Sequence, residues 1–159
     1  NIKYKKIIEL GSGVGSLTKK LSTQVGSKGK IFALDPIKHN INITEKRTKR
    51  ISNVSTHHVD VNSFNFNESV KVDLLISINT LSQIQNPVKT LKKISEKIRP
   101  GGEVLFIDYD KFFYLFDNIA WAEDNKSFKQ IFKKAGFSVE VKIKRNLFWS
   151  FVIIKGKKV

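Results

Sequence analysis

Cysteine and methionine are both missing from the 159 residues, and proline occurs three times. Without cysteine there is no disulfide, no thiolate metal ligand and no cysteine nucleophile. No apolar run approaches the roughly 20 residues needed to cross a bilayer, so the sequence predicts no membrane span, and nothing near Asn1 reads as a signal peptide. Lack of disulfides fits a reducing compartment, and a cytoplasmic location is the expectation. Acidic residues are also scarce: 14 against 29 lysines and arginines, for a net charge of +15. Such an excess attracts polyanions, so nucleic acid enters as a candidate partner. Placement argues the other way. Basic pairs such as Lys19-Lys20, Lys46-Arg47, Lys92-Lys93, Lys133-Lys134 and Lys157-Lys158 recur along the chain, a pattern of solvated surface more than of one reading face.

What is present is a run of alternating elements. A hydrophobic fraction of 40%, with 11% aromatics, suffices for a core. The length suits one domain over residues 1–159, without linker or repeat. Apolar runs predict strands over residues 7–10, 30–34, 54–59, 72–78 and 103–107. Leu17, Leu21 and Val25 share a helical face, as do Val88, Leu91, Ile94 and Ile98 behind the cap Asn86-Pro87. Phe128, Ile131, Phe132 and Ala135 mark another helix, with Gly136 as its left-handed cap. Asp35 is expected to cap a helix reaching about Arg50, with Pro36 as its first residue. Arg99-Pro100-Gly101-Gly102 is expected to be a hard stop and turn. The last two strands, 137–144 and 148–155, are separated only by a short turn at Arg145-Asn146, too tight for a parallel crossover. The prediction is an α/β fold: a doubly wound seven-stranded sheet, mostly parallel, ending in a C-terminal antiparallel hairpin.

The densest local signal is Glu9-Leu10-Gly11-Ser12-Gly13-Val14-Gly15 at the end of the first strand. Glycines there let the backbone turn sharply and approach a ligand closely. Asp35 ends the second strand about twenty residues on, where a carboxylate can grip ribose hydroxyls; a plain helix cap is the alternative, and one residue can do both. A dinucleotide fingerprint needs its third glycine at the position of Ser16, but here it falls at Gly15. Glu9 would repel a pyrophosphate and would suit an ammonium or sulfonium. No Gly-Lys-Ser/Thr follows, which excludes a P-loop. His57 and His58 are adjacent on a strand and point to opposite faces, and with His39 they make no ligand cluster, so no metal site is expected.

Glu9-x-Gly11-x-Gly13-x-Gly15, Asp35, Asp60 after the third strand and Arg99-Pro100-Gly101-Gly102 before the fifth resemble class I S-adenosylmethionine-dependent methyltransferases. Among these the sequence is most similar to the type 11 subgroup, which includes quinone-biosynthesis enzymes. The resemblance covers essentially the whole chain. It implies a Rossmann-like sheet of strand order 3-2-1-4-5-7-6, S-adenosylmethionine as methyl donor and S-adenosylhomocysteine as product. It also implies a cofactor site. Gly11 and Gly13 would lie against the methionine moiety, with Ser12 and Gly15 in the same loop and Glu9 nearby as an indirect or structural acid. Asp35 would bind the ribose hydroxyls, Pro36 would pack on the adenine face, Asp60 would accept from the adenine amino group (the alternative being a plain cap of the turn before Asn62-Ser63), and the Val61 N–H would point at the ring. Asn79 would sit near the sulfonium, its backbone carbonyl rather than its side chain facing the cofactor's amino group.

Two departures qualify the resemblance. Gln83 stands where the subgroup usually carries a histidine, and glutamine cannot act as a general base at neutral pH. Methyl transfer does not always need one, because the sulfonium is already electrophilic and alignment alone can supply ~7–11 kcal/mol. Asn79, Asp108 and Tyr109 are the expected catalytic residues, the last two with Asp110 as acid or base candidates against the alternative of ordinary turn caps. The helical lid that family members carry before the first strand is expected to be absent or truncated. The aromatic run from Phe112 to Phe116 and on to Trp121 is then the candidate wall for an apolar acceptor, or else core. Three functions follow: a methyltransferase acting on a small, partly apolar molecule; an RNA or protein methyltransferase docking through its basic surface; or a cofactor-binding domain without catalysis. The missing cysteine excludes base C5 methylation by covalent attack, and Asn79-Thr80-Leu81-Ser82 does not match the Asn/Asp-Pro-Pro-aromatic pattern of adenine-amino methylation.

Overall fold

Continuous apolar runs, rather than alternating ones, mark parallel strands covered on both faces. The strand β1 (Lys6–Leu10) buries every residue after Lys6, and β2 (Lys30–Asp35) every residue after Lys30. β4 (Val72–Ile78) buries Val72 and residues 74–77, with Asp73 half-buried and Ile78 exposed at its end. In the computed structural model, which describes residues 1–112, 116–122, 124–145 and 148–159, these join β3 (Val54–His58), β5 (Ile98–Phe112), β6 (Phe116–Asp117), β7 (Phe137–Arg145) and β8 (Trp149–Lys158). The seven long strands lie in the order β3-β2-β1-β4-β5-β8-β7, and the two-residue β6 pairs with β5 off this path. β8 runs antiparallel to both β5 and β7, closing the sheet with a hairpin. Counting only long strands, this is the expected order 3-2-1-4-5-7-6. The short β6 carried no periodicity from which to predict it.

Among the described residues four α-helices cover the sheet: α1 (Ser16–Val25), α2 (Lys38–Thr48), α3 (Pro87–Glu96) and α4 (Asn125–Lys134). The crossovers β1-α1-β2-α2-β3 and β4-α3-β5-α4-β7 step in opposite directions along the sheet. Right-handed connections therefore send the two helix pairs to opposite faces. Leu21 and Val25 of α1 pack on Ile7 and Ile31. Leu91 and Ile94 of α3, with Phe128 and Phe132 of α4, pack on the larger core around Ile8, Leu75 and Phe106. Phe106 and Phe132 meet edge to face at 5.4 Å, and each buried ring of this kind stabilises by about 1.5–3 kcal/mol.

Asn86 caps α3 by accepting from Lys89 N, with Pro87 at the first turn, as expected. Two local expectations are corrected. α2 begins at Lys38, with Ile37 as its N-cap and no side-chain cap bond. Asp35 stays in the ladder opposite His58, and its carboxylate accepts from Ile37 N at 2.9 Å, turning the chain before the helix starts. Residues 99–102 are not a free turn but part of β5. Val72 pairs with Ile98 and Leu74 with Glu103, so the extra residues bulge opposite Asp73. Gly101, at φ 70°, takes the left-handed backbone, and Arg99 Nε donates to Asp73 Oδ1 at 2.7 Å. Residues 113–115 of the expected acceptor wall, and Asn146 of the hairpin turn, lie outside the described residues. Among the described residues, no helix is long and apolar enough to cross a membrane.

Candidate functional site

Strand order reverses between β1 and β4, and at such a switch point the loops leaving neighbouring strands part and open a crevice. Two adjoining compartments occupy it. The larger, about 530 Å³, is lined by Leu10, Gly11, Asp35, Pro36, Ile37, Val59, Val61, Ile78, Asn79, Thr80 and Gln83. The smaller, about 260 Å³, is lined by Glu9, Gly11, Ser12, Val14, Ser16, Leu17, Ile78 and Asn79. Gly11, Ile78 and Asn79 belong to both.

The glycine loop forms one wall. Gly11 N and Ser12 N both donate to Leu34 O at 2.9 Å, tying the loop to β2. Gly11 has φ 77°, and a Cβ there would overlap the Thr80 hydroxyl across the crevice, so the position admits no side chain. Gly13 is held at both ends: its N–H donates to Asp35 Oδ2 at 2.8 Å, and its carbonyl accepts from Thr44 Oγ1 at 3.0 Å. Arg47 Nη1 donates to Val14 O at 2.5 Å and to Ser16 Oγ at 2.7 Å. Asp35 is buried and accepts from Gly13 N, Ile37 N and Asn40 Nδ2, leaving capacity for about one further donor among a carboxylate's roughly four lone-pair positions.

Glu9 is 3% exposed and accepts from Thr18 Oγ1 at 2.5 Å. Burial drives its pKa up to about 7, against the lowering by Thr18 and with a further rise from the Asp35 charge. Ser12 Oγ is buried without a hydrogen-bond partner. No lysine or arginine lines either compartment. On a chain of net charge +15, the crevice is an acidic recess.

The segment leaving β4 forms the opposite wall. Asn79 adopts φ 56°, and its N–H donates to Ile107 O at 2.9 Å. Thr80 Oγ1 donates to Leu10 O at 3.2 Å, and residues Leu81–Gln83 make a 3-10 turn. Asp108, 1% exposed, sits beneath that turn. Its carboxylate accepts from Tyr109 N at 2.7 Å and Ser82 N at 3.3 Å. Burial pushes its pKa above the ordinary carboxylate value, and the backbone N–H groups around it, Ser82 foremost, pull the other way. Trp121 Nε1 donates to Leu81 O at 3.1 Å.

The predicted site residues therefore divide. Glu9, Gly11, Ser12, Asp35, Pro36, Val61 and Asn79 line the crevice, while Gly13 and Gly15 shape the loop behind it. Asp60 is exposed and lines neither compartment; it accepts from Asn62 N at 2.6 Å, capping the turn that follows β3. Asp108 and Tyr109 line neither compartment, and Tyr109 lies against Phe151 with ring centres 4.7 Å apart. No cluster of three metal-ligating side chains exists among the described residues. Sequence reasoning missed Asn40, Thr44 and Thr80, and gave Trp121 as acceptor wall or core where it braces the turn through Leu81 O. The available signal for one of them was modest: Thr44 falls on the buried stripe of α2 with Ile41, where an apolar residue would be the default.

A family model described as a methyltransferase domain matches residues 2–146. The chain belongs to this family. Over 117 residues the methyltransferase domain is 27% identical to a mitochondrial ubiquinone biosynthesis O-methyltransferase of Dictyostelium discoideum, covering 67% of this chain and 36% of that protein. Over 109 residues it is 27% identical to the ubiquinone/menaquinone biosynthesis C-methyltransferase UbiE of Wigglesworthia glossinidia brevipalpis, covering 67% of this chain and 43% of that one. The domain thus spans less than half the length of these curated relatives. A solved SAM-dependent methyltransferase from Aquifex aeolicus superposes with a TM-score of 0.78 at 19% identity, over 100% of this chain and 85% of the other. At that identity the likeness shows the Rossmann-like fold of S-adenosylmethionine-dependent methyltransferases.

Proposed function

We propose that this methyltransferase domain takes a methyl group from S-adenosylmethionine and passes it to a small, partly apolar acceptor. One observation carries the reading: the switch-point crevice presents Glu9 and Asp35 and no cation. A dinucleotide would set its phosphates against two buried carboxylates. A nucleoside whose far end carries sulfonium and ammonium charge would be drawn in by them. The fit extends to neutral groups, since Gly11 leaves the floor bare and the unpartnered Ser12 hydroxyl is available as a donor.

When bound, S-adenosylmethionine supplies a methyl group on a cationic sulfur, an electrophile that needs no further activation. The chain's own residues bind and orient. Asp35 offers its remaining acceptor position to the ribose hydroxyls, and Asn40 and Gly13 hold the carboxylate in place. Pro36 and Val61 would flank the base, and Asp60, on the loop just before Val61, would be the acceptor for its amino group. Glu9 and the Asn79 carbonyl take the charged end, beside Gly11, Ser12 and Gly13 of the loop that Gly15 completes. Of the three catalytic candidates, Asn79 meets the ligands, whereas Asp108 acts from behind by holding the N–H groups of the 3-10 turn, and Tyr109 stands aside. The relatives named for O- and for C-methylation in quinone biosynthesis support a ring-bearing, partly apolar acceptor. The basic residues are spread along the chain rather than gathered at the crevice, which favours the small acceptor over an RNA or protein docked by charge.

Isothermal titration with S-adenosylmethionine and S-adenosylhomocysteine tests the reading. The wild type is expected to bind both, and Asp35→Ala to lose about ten- to a hundredfold in affinity, the worth of one hydrogen bond to a charged group. Undiminished binding by Asp35→Ala, or preference for a nicotinamide dinucleotide, would overturn it.

A further inference from the structure

The loops leaving β3 and β4 both reach the larger compartment, one through Val61, the other through Thr80 and Gln83. Their strands are not neighbours, because β2 and β1 lie between them. The sheet's ladder therefore does not set the distance between these two loops. Asn62 bridges them directly. Its Nδ2 donates to Gln83 O at 2.9 Å, and its Oδ1 accepts from Gln85 N at 2.8 Å. Both ends of the amide are spent on main-chain groups of the opposing loop, the way a strand residue engages its partner.

Asn62 is itself well seated. Its N–H donates to Asp60 Oδ1 at 2.6 Å, and Phe64 N donates to Asp60 O at 2.8 Å. Phe64 holds φ 38° with its ring buried in the core, an uncommon backbone for a bulky residue that persists only where its surroundings over-determine it. The β3 loop is thus a stiff arm, and Asn62 is the hand by which it grips the other wall.

We propose that Asn62 is a positioning residue, setting the width of the larger compartment and through it the affinity for the nucleoside end of the ligand. This rests on the nucleoside reading of the crevice. Nothing in the glycine motif or the acids that follow strands points to this residue; the inference comes from its pairing with Gln83 and Gln85 alone.

The test compares affinity with stability in the full chain, using adenosine and S-adenosylhomocysteine as probes. Asn62 is half-buried, so Asn62→Ala should fold. Its affinity for both probes is expected to fall about five- to tenfold, while the lost net hydrogen bonds lower the melting temperature by only about 2–5 °C. Lys93→Ala removes a neighbouring tie, Lys93 Nζ to Ser63 O at 2.9 Å, without touching the Asn62 bridge, and should leave affinity as it is. Asn62→Asp adds a readout that a simple staple would not move. As a carboxylate it faces Gln83 O without a proton to donate; once protonated it can again donate to Gln83 O and accept from Gln85 N. Its affinity deficit, taken as a ratio to the wild type at each pH, should shrink as pH falls toward the ordinary aspartate pKa of about 3.9. Equal affinity in wild type and Asn62→Ala, an equal loss in Lys93→Ala, or a pH-independent Asn62→Asp ratio would each defeat the inference while leaving the nucleoside reading intact. Failure of the wild type to bind either probe would instead defeat that reading, and the inference with it.

Discussion

The two walls of the crevice are built by different means. The wall leaving β1 takes its shape from its own backbone: Gly11, Gly13 and Gly15 all have positive φ, and their close spacing produces the turn wherever the first strand ends. The wall leaving β4 has no glycine and one left-handed residue, Asn79. Its shape is imposed by side chains from elsewhere: Asn62 from the β3 loop, Asp108 from β5 and Trp121 from beyond β6. The turn of the first wall is specified by a short stretch of chain, and Asp35, Thr44 and Arg47 then pin it in place from 22 to 33 residues away. The second is assembled, and each tie spans twenty or more residues of sequence.

Breaking the local wall should have the largest consequence. Gly11→Ala forces a Cβ into the Thr80 hydroxyl at a φ that alanine tolerates poorly. Strain and overlap together should cost about 4 kcal/mol and abolish measurable S-adenosylmethionine binding in titration calorimetry. Adding Thr80→Ala removes the overlap but not the backbone strain, so the double variant should recover stability only in part. Full recovery would show that sterics alone make the glycine necessary.

The next effect belongs to Glu9, whose folded pKa of about 7 stands above its ordinary value of 4.5. A raised folded pKa means the folded state holds the proton more tightly. The associated stability is present in full below pH 4.5 and is lost as pH rises to about 7, a change of about 3 kcal/mol. Urea unfolding of the ligand-free protein should show this slope in the wild type and not in Glu9→Gln. The variant should gain on the wild type at pH 8 while binding the cationic cofactor more weakly. A wild-type profile flat across that interval would mean that Glu9 is better solvated than its burial indicates.

The assembled wall should yield more gently. Asp108→Asn replaces an acceptor of backbone N–H groups by an amide that presents donors to some of them. It should cost about 2 kcal/mol and weaken S-adenosylhomocysteine binding severalfold through the 3-10 turn. Tyr109→Phe, one residue along and on the other face of β5, should change neither by more than about 0.5 kcal/mol. If Tyr109→Phe proves the more damaging, the division drawn here between positioning residue and bystander is reversed.

Much of this was readable in advance. Glu9, Asp35 and the glycines stand at strand ends, and strands that are buried on both faces advertise their ends by continuous apolar runs. The terminal hairpin followed from a connection too short for a crossover. Other features were hidden for a definite reason. The start of α2 moved to Lys38 because the Asp35 carboxylate satisfies Ile37 and Gly13 instead of capping a helix. Residues 99–102 joined β5 because a bulge opposite Asp73 keeps the ladder running. Both outcomes depend on partners distant in sequence.

From sequence alone came the order of the elements, the strand ends where a ligand could sit, and the acidic character of the first wall, all consequences of hydrophobic period and of what glycine permits. The tertiary structure alone decided which polar side chains face the crevice and which brace it. Asp108 and Asn62 are an aspartate and an asparagine like many others along a chain. Only the folded geometry puts one beneath a 3-10 turn and the other across a gap, because a hydrogen bond acts over about 3 Å whatever number of residues lies between its ends.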